Sequence, residues 1–191
     1  VGYSGGTKPN PTYHSLGDHT ETVEIVYDPA IVSYAQLLDI FWHAHHPGQP
    51  AWARQYKAAI FYHNPRQKEL ALKTRDQVAA RLKSPVYTEI LPAGPFFPAE
   101  GYHQKYYLRQ MPDLLAALRA VYPAPADLTA STAAARLNGF AAGYGTLATL
   151  KTELGELDLS PPNRQRLLDL AATKARAHAG LGCPVPSQGA R

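Results

Sequence analysis

The chain has 191 residues, 45% of them hydrophobic, a formal charge of +4 and a pI near 9.1. This suits one domain, or one domain with an extension, able to bury a core without disulfides or metals. The basic residues are scattered and not interleaved with aromatics as a stripe, no apolar run approaches a membrane span, and no charged-then-apolar leader is present. Nucleic-acid binding, membrane insertion and export are therefore not expected. The single cysteine, Cys183, excludes an internal disulfide framework and fits a reducing, cytoplasmic compartment.

Val1-Gly2-Tyr3-Ser4-Gly5-Gly6 reads as the end of a strand entering a loop, as it would inside a longer chain without an initiator Met here. The loop runs to Asp18, and Lys8-Pro9-Asn10-Pro11 within it cannot sit inside a helix or a central strand. Alternation predicts a strand over Thr22–Tyr27, with Val23, Ile25 and Tyr27 on one face. Ser33 with Gln36 forms a capping box opening a helix whose apolar stripe is Leu37, Leu38, Phe41 and Trp42. After the Pro47-Gly48-Pro50 loop, a second strand is predicted over Lys57–Tyr62. Asn64 caps a long charged helix with Pro65 at its first position, running to about Lys83. A third strand is expected over Val86–Leu91. Pro92, Gly94, Pro95 and Pro98 break the chain, and a short helix is expected near Glu100. After Met111 the sequence turns Leu- and Ala-rich and reads as helices over Pro112–Tyr122, Thr129–Ala142, Leu147–Leu157 and Pro161–Ala179, the last capped by Ser160. The expected division is 1–111 and a helical extension, 112–191.

Chemistry concentrates in Asn10-Pro11-Thr12-Tyr13 and Asp18-His19-Thr20-Glu21. A carboxyl group half-buried before a strand stays protonated more readily, and a nearby phenol donates a hydrogen bond. Together they could bind and protonate a developing oxyanion. The alternative is a Tyr capping the core and a Glu paired with Lys or Arg. His43, His45 and His46 do not share one helix face and no acid or thiol completes a ligand set, so they read as a helix C-terminus that favours His, not as a metal site. Helical spacing would put Tyr102 and Tyr106 on one face, as polar core packing.

Val1-Gly2-Tyr3-Ser4-Gly5-Gly6, Asn10-Pro11-Thr12-Tyr13, His19-x-Glu21, Gln55-Tyr56-Lys57-Ala58-Ala59-Ile60-Phe61-Tyr62 and Glu100-Gly101-Tyr102-His103-Gln104-Lys105-Tyr106 resemble, in order, the blocks of the peptide-methionine (S)-S-oxide reductase (methionine sulfoxide reductase A) family, over Val1 to Arg109. The resemblance implies an α+β fold, a ferredoxin-like split βαβ sandwich with its first strand and helix absent from this chain, followed by the helical extension. It implies reduction of methionine-(S)-sulfoxide, free or in peptides, with a thioredoxin-like reductant and no cofactor. It assigns sulfoxide protonation to Glu21 and hydrogen bonds to the sulfoxide oxygen to Tyr13 and Tyr56, the three expected to converge on one shallow site. The family's nucleophilic cysteine lies in a Gly-Cys-Phe-Trp segment upstream of the Val-Gly-Tyr block and is not among these residues. Where the family often carries Gly-Asn-Asp, this chain has Pro50-Ala51-Trp52-Ala53-Arg54. Cys183, in a Gly-rich tail, resembles the family's resolving cysteines; the alternative is an inert exposed thiol. A protein binding oxidised methionine, or a partner, without reducing it is the rival reading. An unpaired strand edge and an exposed apolar groove are expected beside the site.

Overall fold

The computed structural model describes residues 1–154 and 159–180. The elements run β1 (Gly2–Ser4), β2 (Thr20–Thr22), α1 (Tyr34–His43), a 3₁₀ turn (Arg54–Tyr56), β3 (Ala59–Tyr62), α2 (Pro65–Leu82), β4 (Glu89–Pro92), β5 (Phe97–Pro98), α3 (Tyr106–Arg109), α4 (Pro112–Val121), α5 (Pro125–Ala130), α6 (Thr132–Ala142), α7 (Leu147–Leu154) and α8 (Pro161–Gly180). The class is α+β. Two compact units divide at Val1–Glu100 and Gly101–Arg191.

In the first unit, local chemistry sets the helices. Ser33 accepts from the Gln36 N–H while the Gln36 side chain accepts from the Ser33 N–H, which starts α1. Asn64 accepts from the Gln67 N–H and Pro65 follows, which starts α2; Lys83 at φ 53° ends it. The two helices pack through Leu38, Trp42, Ala71 and Val78, with Ile60 of β3 completing the cluster. The Trp42 indole N–H donates to Thr74 Oγ1 at 2.9 Å, so the largest side chain there keeps its polar atom satisfied.

Two separate sheets are present. The first has the order β2-β1-β5, with both ladders antiparallel and Tyr3 opposite Glu21 and Phe97. The second is the parallel pair β3-β4, joined by α2 as a βαβ crossover. The strands expected over Thr22–Tyr27 and Lys57–Tyr62 therefore contribute to different sheets.

The strand expected over Thr22–Tyr27 is corrected. Pairing covers Thr20–Thr22, in antiparallel register with Ser4–Gly2, so Thr22 lies opposite Gly2 and the ladder stops there. Val23, Ile25 and Val26 are exposed, Val26 at 95%, with the alternating apolar pattern of a strand but no ladder among the described residues. The third strand starts at Glu89, not Val86, since the Tyr87 N–H is taken by the Pro47 carbonyl before the β3 ladder begins.

The second unit is helical around Leu108, Leu114, Leu118, Leu137, Leu150 and Leu167. Its start at Gly101 precedes the change of composition after Met111. Leu108 is fully buried in the helical core, and the Leu108 N–H donates to Asn138 Oδ1 of α6. Residues 101–105 form turns, and the helix expected near Glu100 begins at Tyr106. Tyr102 and Tyr106 thus do not share a helix, and both rings are exposed instead of packed. The helix expected over Thr129–Ala142 is two helices, because Ser131 leaves the first in an extended conformation and caps the second through the Ala134 N–H. No helix among the described residues is long and apolar enough to cross a membrane.

Candidate active site

The opening loop is folded by its own polar side chains. His19, 1% exposed, accepts from the Gly6 N–H on Nδ1 (3.2 Å), so its proton sits on Nε2, which donates to the Lys8 carbonyl (2.8 Å). Asp18 accepts from the N–H groups of Thr7 and Lys8 and from the Thr7 hydroxyl. The Thr7 N–H is the main cause, and with these other donors it holds the Asp18 carboxyl at about 2, below its ordinary 3.8. Gly6 has to be glycine. A Cβ there would stand 2.6 Å from Asp18 Oδ1 and from the His19 nitrogen.

The three side chains expected to act are carried by this framework. Tyr13 is exposed on the loop; its N–H donates to Glu100 Oε1 at 2.9 Å. The other Glu100 oxygen accepts from the Tyr3 hydroxyl at 2.6 Å, and Tyr3, 2% exposed, is the ladder partner of Glu21. On the other side of Glu21, the Thr20 hydroxyl, also almost wholly buried, donates to the Gln55 carbonyl (2.8 Å), with the Arg54 carbonyl at 3.3 Å. That contact seats the 3₁₀ turn ending in Tyr56 against β2. The segments bearing Tyr13, Glu21 and Tyr56 are thus linked by one series of hydrogen bonds and one ladder.

Glu21 itself is exposed, which corrects the expectation of a half-buried carboxyl. The cause is the position of β2 at the edge of its sheet. Tyr56 is exposed as well, and its ring lies 4.8 Å from that of Trp52. Cys183 lies outside the described residues. At the helix end, His43 Nδ1 faces the Asp39 carbonyl, while His45 meets the Phe41 carbonyl through Nδ1 and Thr88 Oγ1 through Nε2. Sequence reasoning missed Tyr3, Thr20 and Glu100 as the residues that hold the segments together. Glu100 and Tyr3 did stand in blocks of the resemblance, and Thr20 sat between the two residues of His19-x-Glu21.

The family model for peptide methionine sulfoxide reductase matches residues 1–124. The chain belongs to this family. Among its relatives, the peptide methionine sulfoxide reductase of Drosophila melanogaster is 41% identical over 167 residues, covering 86% of this chain and 67% of that protein. Peptide methionine sulfoxide reductase A5 of Arabidopsis thaliana is 38% identical over 176 residues, 88% of this chain and 62% of that protein. The enzyme MsrA of Pseudomonas fluorescens is 45% identical over 116 residues, 57% of this chain and 56% of that protein. The match to the fly and plant proteins is longer than residues 1–124 and so includes part of the helical unit. The chain therefore spans between 56% and 67% of the length of these three relatives. A crystal structure of Mxr1 from Saccharomyces cerevisiae, in an unusual oxidized form, is similar at 26% identity and a TM-score of 0.46, covering 56% of this chain and 63% of that one.

Proposed function

We propose that the protein reduces methionine-(S)-sulfoxide, free or within peptides, to methionine. The observation that carries this reading is the family match across residues 1–124, which contain Tyr13, Glu21 and Tyr56. The chemistry accounts for the residue types. A sulfoxide oxygen is a good acceptor and a poor leaving group, so phenols at Tyr13 and Tyr56 bind it and the Glu21 carboxyl protonates it. A thiolate then attacks sulfur, methionine leaves, and the oxygen stays on the thiol as a sulfenic acid. Residues 1–191 hold one cysteine, so the nucleophile is assigned to a Gly-Cys-Phe-Trp segment outside them. Cys183 is assigned to the second step, in which its thiol condenses with the sulfenic acid, releasing water and closing a disulfide. A thioredoxin-like dithiol reduces that disulfide, with no cofactor. The reading extends to a ferredoxin-like core, which rests on the family match, and to a reducing, cytoplasmic setting, which the single cysteine supports.

The test is Glu21→Gln in a protein that includes the nucleophilic segment. Gln keeps shape and one hydrogen bond but delivers no proton, so turnover of methionine-(S)-sulfoxide should fall about a hundred- to ten-thousand-fold with the fold intact. Near-normal turnover removes Glu21 from the mechanism. The lone cysteine also favours a second reading, a module that binds oxidised methionine without reducing it. Sulfoxide binding with no product, even in the presence of dithiol and the upstream segment, would select that reading.

A further inference from the structure

The chain has two tryptophans. Trp42 is 4% exposed in the core, whereas Trp52 is 85% exposed, so its indole contributes little to folding. Single exposed apolar side chains are ordinary, but this one has a fixed neighbour. Its ring sits 4.8 Å from the Tyr56 ring at an interplanar angle of 41°. Tyr56 in turn ends the 3₁₀ turn that the Thr20 hydroxyl grips through the carbonyls of Gln55 and Arg54, one residue from Glu21. The exposed indole therefore lies against Tyr56, on the turn that the Thr20 hydroxyl seats against β2. An extended peptide advances about 3.3 Å per residue. With its oxidised methionine at Tyr56, a side chain one or two residues away reaches Trp52.

We propose that Trp52 is a specificity-determining residue that takes the apolar side chain flanking an oxidised methionine in a peptide. Sulfoxides with an aliphatic or aromatic neighbour are then bound in preference to glycine-flanked ones and to the free amino acid. The inference rests on the reading of Tyr56 and Glu21 as binders of the sulfoxide. The indole face supplies area and an aromatic contact at small conformational cost, and its contribution depends on the neighbour, not on the sulfoxide.

Calorimetric titration of a protein that includes the Gly-Cys-Phe-Trp segment, its cysteine replaced by serine so that no turnover occurs, tests it with two N-acetylated, C-amidated tripeptides, one with methionine-(S)-sulfoxide between phenylalanines and one with it between glycines. With Trp52 in place, this protein should bind the phenylalanine-flanked peptide about three- to tenfold more tightly, the factor one aromatic contact supplies. Trp52→Ala should bring the two affinities within about twofold of each other while leaving the glycine-flanked affinity unchanged, and Trp52→Phe should keep most of the preference. An unchanged urea-unfolding midpoint checks the fold of each variant. A preference that survives Trp52→Ala, or none with Trp52 in place and glycine-flanked binding intact, overturns the role of Trp52 and leaves the sulfoxide reading standing. Failure of the protein with Trp52 in place to bind either peptide overturns both.

Discussion

The bond between Tyr3 and Glu100 should be measurable as a coupling energy. The Tyr3 hydroxyl donates to Glu100 Oε2 at 2.6 Å, the length of a charge-assisted O–H···O contact, while Oε1 accepts from the Tyr13 N–H at 2.9 Å. Tyr3→Phe removes the hydroxyl and leaves the ring in its cluster with Leu16 and Ala99. Hydrogen bonds to charged groups contribute about 1.5–3 kcal/mol, and that is the expected cost. Glu100→Gln keeps one acceptor oxygen but turns an NH₂ group toward one of the two donors, at a cost of about 2–3 kcal/mol. Both changes remove the same charge-assisted bond, so the double variant should be less destabilised than the sum by about 1–2 kcal/mol. Urea unfolding followed by the fluorescence of Trp42, which lies in the core of the first unit, reads the four stabilities. Additivity within about 0.3–0.5 kcal/mol would show that the two groups do not act on each other and would refute the proposed anchoring of the Tyr13 loop.

Three further outcomes are expected. Thr20→Val keeps the side-chain shape but strips the Gln55 carbonyl of its donor, so it should cost about 1–3 kcal/mol in urea unfolding; a change below about 0.3 kcal/mol would mean that the 3₁₀ turn does not depend on the hydroxyl. Asp18, with its folded pKa lowered to about 2 from 3.8, stabilises the fold fully above about pH 4 and loses that contribution as pH falls toward 2. Asp18→Asn should therefore flatten the acid limb of the stability profile between those values, and an unchanged limb would sink the assignment. In a protein with its nucleophile present, Cys183→Ser should leave one stoichiometric reduction intact and stop thioredoxin-supported cycling; unchanged cycling would assign the second step to another thiol.

What the sequence made legible was local. Ser33 with Gln36, and Asn64 with Pro65, act within four residues of themselves, so the starts of α1 and α2 are written where they occur. The contacts that build the candidate site are not local. Tyr3 and Glu100 are 97 residues apart, Tyr13 and Glu100 are 87 apart, and Thr20 and Gln55 are 35 apart. No periodicity reports such pairings. The strand expected over Thr22–Tyr27 failed for a related reason. Alternation states which residues could share a face, while a strand also needs a partner backbone, and β1 supplies one only opposite Thr20–Thr22. The identities of Tyr13, Glu21 and Tyr56 came from the resemblance. Composition and spacing alone favoured a Tyr capping the core and a Glu paired with Lys or Arg.

The segment His19-Thr20-Glu21 shows how an exposed acid can still be held accurately. His19 is buried and uses both ring nitrogens on the opening loop, at Gly6 and Lys8. Thr20 is buried and uses its hydroxyl on the 3₁₀ turn. Glu21 follows on an edge strand, with its backbone registered against Tyr3. Two consecutive side chains are thus committed to neighbours on either side, and the third is left to solvent. A carboxyl on a freely moving loop would lose much of its advantage as a proton donor, because orientation contributes to catalysis only when it is fixed before the substrate arrives. Here the backbone bearing Glu21 is fixed while its side chain stays accessible. The proton donor of the proposed reaction therefore relies on the burial of its two predecessors for its position, and needs none of its own.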